Sequence, residues 1–167
     1  MKPNLLTKKL SIFVIICGLL AGCIVIIGQY FYYGTYKVMD ISDAKVLEED
    51  EYKYFLESLD TEATVGDYYQ IKGWGVIINK PVAQYNTKLV LYVKDFANAK
   101  VFNTKMQTRS DVTQMMNDNN NYDASGFAVN IDSERIQGDN YNMALLIEID
   151  EKLYLLPMEE MLVTRGD

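Results

Sequence analysis

Residues 141–156 read Tyr-Asn-Met-Ala-Leu-Leu-Ile-Glu-Ile-Asp-Glu-Lys-Leu-Tyr-Leu-Leu. Tyr141, Met143, Leu145, Ile147 and Ile149 alternate strictly, which is the two-residue period of a strand with one face on a core. Asp150-Glu151-Lys152 makes a tight connection, and Leu153 to Leu156 returns. The stretch therefore reads as a β-hairpin. Pro157, which cannot donate to a ladder, is expected to close it.

Working outward, the same period recurs. Before the hairpin, Gly126 to Ile131 alternates through Phe127, Val129 and Ile131, followed by a turn over Ser133 to Gly138. Asn117 to Asp123 (NDNNNYD) is a loop by composition. Ser110 to Met116 predicts one helical turn, capped by Ser110 or Asp111. Lys100 to Arg109 continues less regularly from Val101. Thr87 to Asp95 places Leu89, Leu91 and Val93 on one face. Asp67 to Asn79 (DYYQIKGWGVIIN) points Ile71 and Ile77 one way, and Lys72, Trp74, Val76 and Ile78 the other. Gly73 and Gly75 in that run suit a bulge or a close backbone approach. Lys80-Pro81 ends it, and Tyr54-Phe55-Leu56 begins the first strand. Residues 37–52, with the acidic run Glu48-Glu49-Asp50-Glu51, read as a solvated tether or a short helix.

About seven short strands with turn signals between them predict an all-β fold: an antiparallel immunoglobulin-like β-sandwich over residues 53–163. A small closed barrel is the competing architecture. Trp74 is expected as the central core aromatic, between the sheets.

The first 36 residues are of a different kind. Their only charges are Lys2, Lys8 and Lys9, and Leu10 to Ile27 is an uncharged apolar run of 18 residues. About 20 such residues cross the hydrocarbon of a bilayer. The run continues into Tyr30, Phe31, Tyr32 and Tyr33, aromatic residues that suit a membrane interface. The organisation expected is a cytoplasmic basic segment (1–9), a transmembrane helix or lipoprotein-type signal (10–33), a charged tether (34–52) and an extracytoplasmic sandwich. Lysines before the run and acids after it place the N-terminus in the cytoplasm. The alternative for the apolar run is Leu20-Ala21-Gly22-Cys23, which resembles the lipobox of bacterial lipoproteins and would make Cys23 the lipidated residue. Ile24 to Ile27 follow Cys23 where mature lipoproteins have a polar tether. The Gly18-x-x-x-Gly22 spacing suits close packing against another helix.

Composition removes several activities. The chain has no His, and its two Cys, Cys17 and Cys23, both lie in the apolar run. The commonest general base and zinc sites built on Cys are therefore missing from the rest. Beyond position 36 the net charge is −10, which repels nucleic acid and anionic lipid. With 131 residues there, a core can form without disulfides or metals.

Ile71-Lys72-Gly73-Trp74-Gly75, Lys88 to Val93, Arg109-Ser110-Asp111-Val112, Ser125-Gly126-Phe127 and the Gly138–Tyr141 turn occur in that order. In this they resemble the bacterial immunoglobulin-like β-sandwich accessory modules appended to glycosyltransferases and teichoic-acid polymerases of Gram-positive bacteria. The resemblance covers about residues 54–157. It implies a role at the cell envelope, in polysaccharide assembly or binding, and carries no catalytic residues over.

The residues themselves offer three chemistries. Asp118, Asn120 and Asp123 supply oxygen ligands suited to Ca²⁺ but lack the glycine and terminal glutamate of an EF-hand loop. Tyr68, Tyr85 and Tyr122 are aromatic platforms for sugar rings, with Arg109 as a polar neighbour; Arg109 with Asp111 also reads as a structural ion pair. No pair of carboxylates stands out for glycoside hydrolysis. The expected function is a non-catalytic, membrane-anchored envelope module needing no cofactor. Its partners are the membrane and either a cell-wall polysaccharide or a membrane protein of the glycan machinery. Alternatives are a structural subunit contacting its complex through the helix, and a carboxylate-based glycan enzyme.

Overall fold

The computed structural model describes residues 5–32, 35–60, 68–81, 86–136 and 138–164. They form two units, one ending at Tyr32 and the other beginning at Tyr33. The first is a single helix, α1 (Leu5–Tyr32), 28 residues long. Its side chains are described over 12–28, and every large apolar one from Ile12 to Ile27 is at least 50% exposed. Among the residues so described, no helix is both long and apolar enough to cross a membrane. The helical backbone runs well beyond that window, and at about 1.5 Å per residue its 28 residues extend about 42 Å. The side chains of Tyr30 to Tyr33 lie outside the described residues.

The second unit is mostly strand. In chain order it holds β1 (Tyr36–Met39), β2 (Lys45–Val46), β3 (Tyr52–Asp60), β4 (Tyr68–Ile77), β5 (Lys88–Tyr92), β6 (Ala99–Asn103) and β7 (Lys105–Gln107). A short helix α2 (Ser110–Met116) follows, then β8 (Gly126–Asp132), β9 (Asn140–Ile149) and β10 (Lys152–Val163). One sheet has the order β1-β6-β5-β9-β10-β2 and the other β3-β4-β8-β7. All pairings are antiparallel except β2 with β10, which is parallel.

The alternating runs behave as their period requires. Leu89, Leu91, Met143, Leu145 and Ile147 from the first sheet meet Ile71, Phe127, Val129 and Ile131 from the second, all buried in one core. The β9–β10 hairpin turns through Asp150 and Glu151, whose φ angles are 51° and 61°. Two positive φ values in a two-residue loop match the right-handed twist of the strands it joins.

Four expectations need correction. Residues 36–47 are not a tether: β1 and β2 extend the larger sheet. Between and beyond them, Ile41 and Ala44 bury against Val90, Ala144 and Leu155 on its outer face, and Leu47 joins the main core. The charges around these apolar residues simply face water. Pro157 does not close β10, which continues to Val163 with an irregularity between Pro157 and Met161. A proline is tolerated at such a bulge, and the Pro157 carbonyl accepts a 2.6 Å hydrogen bond from the Tyr52 hydroxyl. Val93 is exposed, one residue past the end of β5. Finally, Trp74 is buried but not between the sheets. Both faces of β4 are covered, and Trp74 lies on the outer one with Val76 beneath α2 and its following loop.

Candidate functional site

A polar cluster holds that covering segment, residues 109–125, on the four-stranded sheet. Arg109 is its anchor. The Arg109 N–H donates to the Asp123 carbonyl at 2.8 Å. Its guanidinium makes two bonds to the Asp111 carboxylate, at 2.9 and 2.7 Å, and one to Glu57 on β3 at 2.5 Å. The aliphatic stem passes over Gly126, where a Cβ would meet Arg109 Cγ and the Gln107 carbonyl. Glycine is required there for steric reasons. Arg109 thus ties the Arg-x-Asp-Val stretch to the Ser-Gly-Phe stretch. It is the residue before α2 and makes no side-chain capping hydrogen bond to it. Asp111 serves the guanidinium instead of the expected cap, and that guanidinium holds its carboxyl below the usual range.

Beneath lies the apolar cluster of Trp74, Val76, Val112, Tyr122 and Ala124. Asn117 ends α2 in the left-handed conformation, with φ 48°. The loop then folds on its own side chains. Tyr122 is fully buried; its hydroxyl donates to Asp118 at 2.6 Å and accepts from the Asn79 N–H at 3.1 Å. The Thr113 hydroxyl donates to Asp123 at 2.6 Å and accepts from the Tyr122 N–H at 2.9 Å. Burial, reinforced by Asp118, pushes the Tyr122 phenol up to about 12, while that hydrogen bond holds Asp118 down.

These contacts decide the fate of the candidate residues. Tyr122 offers no face to a sugar. Arg109 is engaged by two carboxylates. Tyr68 is partly exposed at the start of β4, and Tyr85 lies outside the described residues. The structure therefore does not assemble Tyr68, Tyr122 and Arg109 into one platform. Asp118 accepts from the Tyr122 hydroxyl and, at 3.0 Å, from the Asn120 N–H, and Asp123 accepts from the Thr113 hydroxyl of α2. Among the described residues no three His, Cys, Asp or Glu side chains are grouped to hold a metal. Cys23 is a free, exposed thiol on α1.

A second arrangement carries no sequence signal, because its members are far apart in the chain. An open depression of about 270 Å³ is lined by apolar Leu47, Ile77 and Ile78 and by charged Lys45, Asp50, Glu51 and Lys80. Lys45 pairs with Glu51 at 2.5 Å. The Lys80 ammonium donates to the Tyr154 hydroxyl at 2.7 Å and sits 4.0 Å from its ring centre. That bond, aided by the charges of Lys80, Lys152 and Lys45, lowers the pKa of the Tyr154 phenol.

No protein-family model matches this chain, and neither does any curated protein or solved structure.

Proposed function

We propose that the chain is a non-catalytic binding module held on the outer face of a cell membrane by α1, with an immunoglobulin-like sandwich that engages a cell-wall glycan. The observation that carries the reading is the contrast between the two units. The sandwich buries most of its described apolar residues in three clusters, leaving single ones such as Phe55 and Val163 exposed. Over residues 12–28, helix α1 leaves its large apolar side chains exposed. A continuous apolar surface of that kind is covered by lipid or protein, and its uncharged 18-residue run has the length of a span. Lysines before it and acidic residues after it support the outward orientation.

Strand order supports the immunoglobulin-like topology. The series β3-β4-β8-β7 and β6-β5-β9-β10 follow the A-B-E-D and C′-C-F-G orders of that fold. The non-catalytic reading is supported by the main polar cluster, whose members hold a covering segment in place. The glycan reading rests on the resemblance to envelope accessory modules.

The test is retention of the detergent-solubilised chain on purified cell wall. Retention that salt or soluble glycan reverses supports the reading. A chain that flows through while co-purifying with a membrane protein, and releases it on Gly18→Leu with Gly22→Leu, supports the helix-contact alternative instead. That alternative has its own observation: apart from their own helix backbone and chain neighbours, no atom of the described residues lies within 4 Å of where the Cβ of either glycine would stand. Palmitate labelling of the chain and of Cys23→Ala separates a plain span from a lipoprotein.

A further inference from the structure

We infer that the depression beside Tyr154 binds an oxyanion, a phosphate or carboxylate group, through Lys80 and the Tyr154 hydroxyl. An ammonium has three N–H donors and no acceptor, so in the Lys80–Tyr154 bond the phenol oxygen must accept. Among the described residues the phenol hydrogen then finds no acceptor, and neither do two Lys80 hydrogens. Among the described residues Lys80 has no carboxylate within ion-pair distance. Lys80 lines the depression with apolar Leu47, Ile77 and Ile78, and its bond holds the hydroxyl of the largely buried Tyr154 beside that lining.

Neighbouring carboxylates do not cancel this. Glu51 is engaged on both oxygens, one by Lys45 at 2.5 Å and the other by the Glu48 N–H at 3.0 Å. Lys152, on the same strand as Tyr154, adds positive charge. Asp50 and Glu51 are the two lining carboxylates, and with Glu51 paired to Lys45 it is Asp50 that opposes an anion. A bound oxyanion would accept from the ammonium and the phenol together, the charge-assisted arrangement that is about twice as strong as a neutral hydrogen bond. The basic spot is local, set in a domain whose net charge is −10, so it selects for a group that reaches the depression rather than for a polyanion laid across the surface.

This inference deepens the proposed binding role by naming the chemical group of the ligand, but the site stands on its own geometry. The test uses the full chain in non-ionic detergent at constant ionic strength, following backbone amide shifts of Ile78, Asn79 and Lys80. The probes are inorganic phosphate, glycerol 3-phosphate and acetate. A further arm in lipid nanodiscs compares phosphatidylglycerol with phosphatidylcholine, to separate a headgroup source from a soluble one. Saturable shifts at these amides are expected with at least one probe. Lys80→Gln should weaken binding by about tenfold or more and Tyr154→Phe by several-fold. Asp50→Asn should tighten it and Lys94→Gln leave it unchanged. Shifts that never saturate with any probe, or equal affinity in Lys80→Gln with its fold intact by circular dichroism, overturn the site. Cell-wall retention that survives Lys80→Gln leaves the module reading standing and removes only this site from it.

Discussion

Replacing Val112 by aspartate should lift residues 109–125 off the sandwich and leave the sheets folded. Val112 is the one fully buried side chain of α2, at 1% exposure, and it packs with Trp74. Burial of a valine contributes about 1.5–3 kcal/mol. A carboxylate in its place would cost several kcal/mol more if it stayed buried without a partner. The segment is held by that contact, by Tyr122 and Ala124, and by surface ion pairs worth little in water. Opening it is therefore the cheaper response. The main core draws nothing from α2, since its buried members come from the two facing sheets and their connections. Trp74 is the only tryptophan in the chain, so its fluorescence reports this surface alone. The emission maximum should move toward that of an exposed indole, while far-UV circular dichroism keeps its β signature. Unchanged emission in a folded variant would show that Trp74 is not shielded by α2. Loss of the β signature together with the emission shift would show that the segment is part of the main cooperative core.

Three further outcomes follow from particular contacts. Trp74→Ala should destabilise the domain by about 3–5 kcal/mol in urea titrations, because a large aromatic leaves a cavity under a segment that only partly collapses. Asp111 and Asp118 have folded pKa values below the 3.8 they start from. The stability they contribute is thus present above that value and lost as pH falls through the lower folded ones; acid titration should expose Trp74 below about pH 4. Glu151→Gly should raise stability by about 0.5–1 kcal/mol, measured by thermal melting, because it relieves a non-glycine φ of 61° in the hairpin turn.

What could be read from the sequence divides along physical lines. The strand carrying Phe127 to Ile131 was legible because one face is core and the period of two survives intact; Tyr141 to Ile149 was legible because its core-facing residues are the larger ones, although Ala144 and Leu146 bury its other face as well. Strand β4 was legible as a strand, but both its faces are buried, so alternation could not tell which one meets the other sheet; Trp74 was assigned to the wrong side. Residues 36–47 were illegible because Ile41, Ala44 and Leu47 are isolated among charges, and a belt that crosses a sheet face has no period. At Thr104 the chain passes from β6 in one sheet to β7 in the other, a switch that composition does not mark. Of the candidate residues, Tyr122 was singled out as an aromatic in a polar loop, the setting that also suits a buried tyrosine securing its own loop. Lys80 and Tyr154 stand 74 positions apart, and only the packing of the 78–80 turn against β10 brings them together.

The side of the membrane on which the sandwich lies can be measured directly. A protease-cleavable tag placed after Asp167 can be followed in cells stripped of their outer barriers, with an alkaline wash of the membrane fraction alongside. The tag should be removed by protease added outside, and the chain should stay with the washed membranes. A tag that remains protected in intact cells, or a chain released into the soluble fraction, would contradict the anchored, outward-facing module.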